Sequence, residues 1–201
     1  MLEQNRVYQG DCFEIMKQIP DNSVEAIITD LPYPKKYLPL YIKLADEASR
    51  ILVKSGSLLV ILPHYAIPEL TEGISKHLKW RWILNMSQMK GKHARMAMGI
   101  EVTWKPIGWW VKGSWEHGRG FITDGFENDI LPKKKDHKWE QGIDWARYCL
   151  KFVPKGRLVL DPFCGTGTLL VAAKEQGYPY IGIDIEEKYC TISTNRLEEQ
   201  I

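Results

Sequence analysis

Asp30-Leu31-Pro32-Tyr33 places an acid, a stiff turn and an aromatic ring within four residues, directly after the apolar run Val24 to Thr29. The proline fixes the backbone. A carboxylate and a neighbouring backbone carbonyl held in this way can accept both N–H bonds of an amine. An exocyclic amine on a nucleobase is a poor nucleophile, because its lone pair is delocalised into the ring. Two acceptors would favour a pyramidal, more nucleophilic nitrogen. The tyrosine ring could stack on the face of a base brought out of its helix. No covalent cysteine is needed for this chemistry. The alternative is a tight turn with a capping Asp and a core Tyr.

A second constellation lies near the C-terminus. Leu158 to Asp161 reads as a strand, followed by Pro162-Phe163-Cys164-Gly165-Thr166-Gly167-Thr168 and a helical pattern. The two glycines let a backbone approach a ligand closely, and the helix N-terminus offers free N–H groups. The third glycine of G-x-G-x-x-G is absent, since Leu170 stands there. This argues against a pyrophosphate and for a ligand with a smaller charged group. About 20 residues on, Ile181-Gly182-Ile183 ends in Asp184, where a carboxylate can accept hydrogen bonds from ribose hydroxyls. The ligand should therefore contain a nucleoside.

These residues need a scaffold that brings them together. Strand-like runs near Val7, at 24–29, 57–62, 81–86, 101–112, 157–160 and 180–183 alternate with helical patterns near 12–19, 39–53, 66–77, 143–152, 165 onward and 186 onward. Gly56 reads as the stop of the helix before it. Pro106 and Gly108 interrupt the 101–112 run, which fits a bulge or a sheet edge. The stretch 113–138 reads as loop. Such alternation predicts an α/β fold with a doubly wound, mostly parallel sheet. In that architecture ligands sit beyond the carboxyl ends of the strands. Asp11, Asp30, Asp161 and Asp184 each close an apolar run, so all four are expected around one polar site. Helix capping is the competing explanation for any one of them.

Composition narrows the class. The 201 residues, 44% hydrophobic and 26% charged, fit one domain with a substantial core. No apolar run reaches the ~18 residues of a membrane span. The N-terminus has neither the basic start nor the apolar core of a signal peptide. The four cysteines, Cys12, Cys149, Cys164 and Cys190, form no CxxC pair and have no nearby histidine at ligand spacing. Free thiols, no metal and a cytoplasmic setting are expected. Net charge is only +2, but from Met86 to Arg119 six Lys/Arg face two acids, and all eight tryptophans fall between Trp80 and Trp145. Trp109 and Trp110 are expected in the core, and Lys133-Lys134-Lys135 in a solvated loop.

The motifs and their order resemble the beta class of S-adenosylmethionine-dependent DNA amino-methyltransferases, in which the catalytic motif precedes the cofactor motif. Gly10-Asp11-Cys12, Ile19-Pro20-Asp21-Asn22-Ser23-Val24 and Asp30-Leu31-Pro32-Tyr33 look like that family's opening. Glu47 to Gly56 is similar to the helix and turn that follow. His137-Lys138-Trp139-Glu140-Gln141, the Asp161 to Thr168 turn, and Asp184 followed by Tyr189 resemble its later elements. The resemblance covers nearly the whole chain. It departs at Leu31, where the family usually has a first proline. That change keeps the carbonyl and loosens the turn.

The resemblance implies a seven-stranded sheet of the methyltransferase type with a small irregular target-reading insertion. It divides the single domain into a catalytic half (1–85), a target-recognition segment (86–140) and a cofactor half (141–201). It implies that Phe163, Gly165, Thr166 and Gly167, in the turn opened by Asp161, wrap the methionine part of S-adenosylmethionine. Asp184 would hold the ribose, Asp11 the adenine amine, and Gln141 the methionine end. Asp30 and the carbonyl of Leu31 would bind the target amine on the turn stiffened by Pro32, with Tyr33 stacked on the base. Lys90, Lys92 and Arg95 would meet DNA phosphates. Adenine N6 is the implied target, since Asp at position 30 favours it. Cytosine N4 stays open, as do an RNA or protein-amide acceptor and a cofactor-binding protein of weak activity. A homodimer is implied by several relatives.

Overall fold

The computed structural model describes residues 2–87, 94–96, 98–115, 121–127 and 142–199. Its main sheet contains β1 (Arg6–Gln9), β2 (Val24–Thr29), β3 (Leu52–Ile61), β4 (Lys79–Ser87), β7 (Trp104–Val111), β8 (Gly125–Glu127), β9 (Val159–Asp161) and β10 (Tyr180–Asp184). The order across the sheet is β1-β10-β9-β2-β3-β7-β4-β8. The first five run parallel, β7 is antiparallel to both neighbours, and β8 joins β4 in parallel. A small two-stranded ribbon, β5 (Ala94–Arg95) with β6 (Glu101–Val102), stands beside it.

Among the described residues the sheet has eight strands where seven were expected. The extra one, β8, lies in the stretch read as loop. Three residues are too few for a period-two pattern, and pairing with Asn85 to Ser87 holds them.

Helices cover both faces. α1 (Cys12–Met16), α2 (Leu38–Ile51) and α3 (Ile67–Ile74) pack on one, and α4 (Asp144–Cys149), α5 (Thr168–Glu175) and α6 (Glu187–Glu198) on the other. Along α2, Tyr41, Leu44, Ala48 and Ile51 recur at helical spacing and are buried. Along β2 and β3 alternate residues feed opposite cores. Ile27, Leu58 and Val60 face the core under α1 to α3, while Ala26, Ile28, Leu59 and Ile61 face the core under α4 to α6. This explains why both strands read as continuous apolar runs.

Two glycine expectations change. α2 ends at Ile51, and Gly56 lies inside β3, in a bulge where Val24 pairs Leu52 but Ala26 pairs Ser57. A Cβ at Gly56 would come within 2.8 Å of the Val53 carbonyl oxygen and 3.0 Å of that of Glu25. Close backbone approach, not helix termination, requires glycine there. β7 is interior rather than an edge. Pro106 is tolerated because it pairs beyond β3, where its carbonyl accepts from Leu62 N–H just before the chain turns at Pro63. Gly108 makes room for the fully buried Trp110, whose ring would lie 2.3 Å from a Cβ. Trp110 packs edge-on against Trp80, and the half-buried Trp109 packs against Phe152. Both are core residues, as expected.

β2 leads through α2 to β3 on one side, and β9 leads through α5 to β10 on the other. The order therefore reverses between β9 and β2, the switch point at which such sheets open a crevice.

Candidate active site

A cavity of about 1300 Å³ opens at that switch point. Asp11, Asp30, Asp161 and Asp184 all line it, together with Leu31, Pro32, Tyr33, Phe163, Gly165 and Thr166. The parallel strands deliver each acid to the same edge, so residues more than 100 positions apart share one wall. Among the described residues Glu186 adds a fifth carboxylate, against Lys35, Lys43 and Lys105.

Three of the acids also organise backbone. Asp11 accepts from Phe13 N–H at 2.8 Å and caps α1. Asp184 accepts from Gly165 N–H at 2.9 Å through one oxygen and from Glu186 N–H at 2.9 Å through the other. Asp161 Oδ1 accepts from the Thr29 hydroxyl at 2.7 Å and from Phe163 N–H at 3.2 Å. Capping and a shared pocket therefore coexist. The Thr29–Asp161 bond ties the end of β2 to the glycine turn. Burial, reinforced by Asp184 and Asp30 and opposed by those two hydrogen bonds, raises the Asp161 carboxyl to about 7.

The glycine turn is built from behind. Gly165 and Gly167 have φ of +50° and +80°, a region that penalises any side chain. A Cβ on Gly167 would lie 2.1 Å from the buried Ser193 Oγ of α6, whereas one on Gly165 meets nothing within 4 Å. Arg196, one turn along α6, donates to the Thr166 carbonyl at 2.7 Å and to its hydroxyl at 3.1 Å. Phe163 stacks edge-on with Phe13 at 6.4 Å, and Lys43 lies 4.0 Å from the centre of the Phe13 ring. Burial pushes the Cys12 thiol up to about 12, and holds Cys164 well above its ordinary value. Neither cysteine in the cavity is thus a thiolate near neutrality.

On the opposite wall the Asp30–Tyr33 turn is braced at two carbonyls. Leu31 accepts from the Tyr41 hydroxyl at 3.3 Å, and Tyr33 accepts from the Tyr65 hydroxyl. The Leu31 side chain is 1% exposed and belongs to the α2 core, which holds the turn in place of the ring of a second proline. Lys105 donates to the Tyr33 hydroxyl at 3.4 Å. Burial lowers the Lys105 ammonium, and Asp30 opposes that shift. His64, edge-on to Trp104 at 5.2 Å, is lowered by burial and by Lys105.

Lys105, Tyr65 and Tyr41 had no assigned role from the sequence. One signal was present: Pro63-His64-Tyr65 follows β3 at the same edge that yields Asp30. The role of Lys105 needed knowledge that β7 inserts beside β3. Gln141, Lys90 and Lys92 lie outside the described residues. Arg95 is exposed on the ribbon and pairs with Glu101 at 3.5 Å.

Comparison with known proteins agrees with this geometry. A family model described as DNA methylase matches residues 133–195. The Type II methyltransferase M.BamHI of Bacillus amyloliquefaciens is 24% identical over 250 residues, covering 97% of this chain and 57% of its own length. M.MjaII of Methanocaldococcus jannaschii is 29% identical over 166 residues, covering 76% of this chain and 29% of its own. The chain thus spans just over half of the first relative and under a third of the second. Among solved structures, the complex of M1.HpyAVI with S-adenosylmethionine superposes with a TM-score of 0.80 at 19% identity, over 96% of this chain and 98% of that one. The cytosine-N4-specific PvuII DNA methyltransferase gives 0.79 at 14% identity, over 94% and 85%. The fold is shared with these two DNA methyltransferases, and residues 133–195 are similar to the DNA methylase family.

Proposed function

We propose that this protein transfers a methyl group from S-adenosylmethionine to the exocyclic amine of a base in DNA, with adenine N6 as the target. The observation that carries this is the opening of the Asp30–Tyr33 turn and of Phe163, Gly165 and Thr166 onto one cavity; Gly167 shapes the turn from behind. The matched family model and the Type II methyltransferases among its relatives support the same activity.

The residues suit the cofactor. Five carboxylates favour a cation, and the glycine turn leaves open space at Gly165 for a close ligand. Phe163, Gly165, Thr166 and Gly167 would hold the methionine part, with Asp161 fixing the Phe163 N–H. Asp184 would use its remaining lone pairs for ribose hydroxyls, and Asp11 would take the adenine amine. Gln141 is assigned to the methionine end by resemblance. When bound, S-adenosylmethionine supplies an electrophilic methyl group.

The acceptor wall does the rest. Asp30 accepts one N–H of the target amine. The Leu31 carbonyl, with one lone pair given to Tyr41, accepts the other. Held so, the nitrogen lone pair leaves conjugation and faces the cofactor side, and the carboxylate is placed for the proton that nitrogen sheds. Tyr33 supplies the stacking face. The segment 86–140, with Lys90, Lys92 and Arg95, would read and neutralise the DNA. A homodimer belongs to the same reading, and sedimentation tests it.

The decisive experiment incubates the protein with labelled cofactor and DNA, RNA or protein, then maps the label. N6-methyladenine in DNA is the expected product. N4-methylcytosine would move the assignment to the other amine, and label confined to RNA or protein would overturn it.

A further inference from the structure

Lys105 is not among the acceptor-wall residues that the family motif carries, yet it sits among them. It comes from β7, lines the cavity and lies 3.4 Å from the Tyr33 hydroxyl and 5.5 Å from the centre of that ring. These two distances put the ammonium past the hydroxyl end of the ring rather than over its face. Both faces of Tyr33 are thus left clear of it. The chain has brought a donor-only group to the wall where Asp30 supplies an acceptor-only one.

That pairing has a chemical meaning on the edge of a flipped base. Adenine presents an amine beside a bare ring nitrogen, N1. Cytosine presents an amine beside bare N3. At the corresponding position of the Watson–Crick edge, guanine (O6, N1–H) and thymine (O4, N3–H) present a carbonyl beside a ring N–H, the reverse order. An acid next to an ammonium fits the first pair and opposes the second, and such edges are what base-flipping enzymes read.

We propose that Lys105 reads the acceptor base by donating a hydrogen bond to the ring nitrogen next to the amine held by Asp30. The proposal rests on the methyltransferase reading above and adds the element that selects among bases. It assigns adenine and cytosine as permitted and does not separate them. A hydrogen bond from a cation draws electron density from the ring. Lys105 therefore serves recognition, and its effect belongs in kcat/KM.

The test uses the DNA sequence found by mapping, in two forms. One carries the natural target base. The other carries its deaza analogue, 1-deazaadenine or 3-deazacytosine, which keeps the amine and loses the ring acceptor. The change in intrinsic reactivity is common to all variants and cancels in the comparison. For the unaltered protein the deaza base should lower kcat/KM by roughly 10- to 100-fold, the range for losing a charged hydrogen bond. Lys105→Met should already show that loss on the natural base and gain no further penalty from the analogue. Lys105→Arg, which keeps donors, should retain the penalty. Cofactor affinity measured by calorimetry should be unchanged in both variants, establishing that they fold. An equal penalty in the unaltered protein and in Lys105→Met, or no penalty in either, would overturn the role of Lys105 while leaving the methyltransferase reading intact. No transfer by the unaltered protein to any DNA would remove both.

Discussion

Asp30 stands one residue beyond β2 and lines the cavity without belonging to the glycine turn. In the proposed reaction Asp30→Ala removes an acceptor whose interaction would tighten as charge develops on the amine. Transfer should fall by at least about 10²- to 10³-fold, as when one preorganised electrostatic partner is deleted. Cofactor affinity, measured by calorimetry, should stay within roughly twofold, because the lost interaction is made to the acceptor base. Equal losses of both would place Asp30 in the cofactor site instead. Asp161 makes a different prediction. Its carboxyl rises from an ordinary value of 3.8 to about 7 in the fold. A carboxyl with a raised folded pKa binds more protons folded than unfolded. Its favourable contribution is complete below the unfolded value and disappears as pH climbs through the folded one. Between pH 4 and pH 7 the loss should reach about 3 kcal/mol. Asp161→Asn keeps an oxygen for Thr29 and Phe163 and cannot ionise. Denaturant titrations should therefore show the unaltered protein losing stability relative to Asp161→Asn across that range. Parallel curves would mean that Asp161 does not titrate there.

The elements convert these residues into a site, and the glycine turn between β9 and α5 shows how. Gly165 and Gly167 share positive φ, but only Gly167 is pressed against α6, through Ser193. Gly167→Ala should cost about 1–3 kcal/mol of overpacking in addition to its backbone strain. For a domain of this size that lowers Tm by at least 2–4 °C, on the order expected per kcal/mol. Gly165→Ala meets open space, so its stability cost should be confined to backbone strain of about 1–2 kcal/mol, while its methyl group should weaken cofactor binding. Thermal melts and calorimetry on the two variants separate the roles. A larger loss of stability in Gly165→Ala would reverse the assignment. The same elements show where the sequence was informative. Acids at strand ends are local features, so Asp11, Asp30, Asp161 and Asp184 could be gathered onto one edge before any coordinates. Gly56 could not be read this way, because its neighbour Glu25 lies on another strand. β8 has too few residues to display a period, and Lys105 acquires its place only from the insertion of β7 beside β3.

Across the whole molecule, two half-sites from opposite ends of the chain meet where the strand order reverses. Among the described residues no helix is long and apolar enough to cross a membrane. The two faces carry separate cores, one under α1 to α3 and one under α4 to α6. The Thr29–Asp161 hydrogen bond and the shared cavity couple the two halves of the chain, proposed as catalytic and cofactor-binding. A ligand that binds there sees only the folded state, so it must stabilise the entire domain. At one hundred times its Kd, S-adenosylmethionine should add about 2.7 kcal/mol. For a domain of this length that corresponds to a rise in Tm of roughly 5–10 °C. Asp30→Ala should keep the full rise, since the partner proposed for it is the acceptor base. Asp184→Ala should begin from a lower Tm, because Gly165 and Glu186 lose their acceptor. At the same cofactor concentration it should also show a smaller rise, because the proposed ribose contact would be gone. If Asp184→Ala lost baseline stability yet kept the full shift, its carboxylate would be a turn organiser alone, and the ribose would have to be held by another group on the cavity wall.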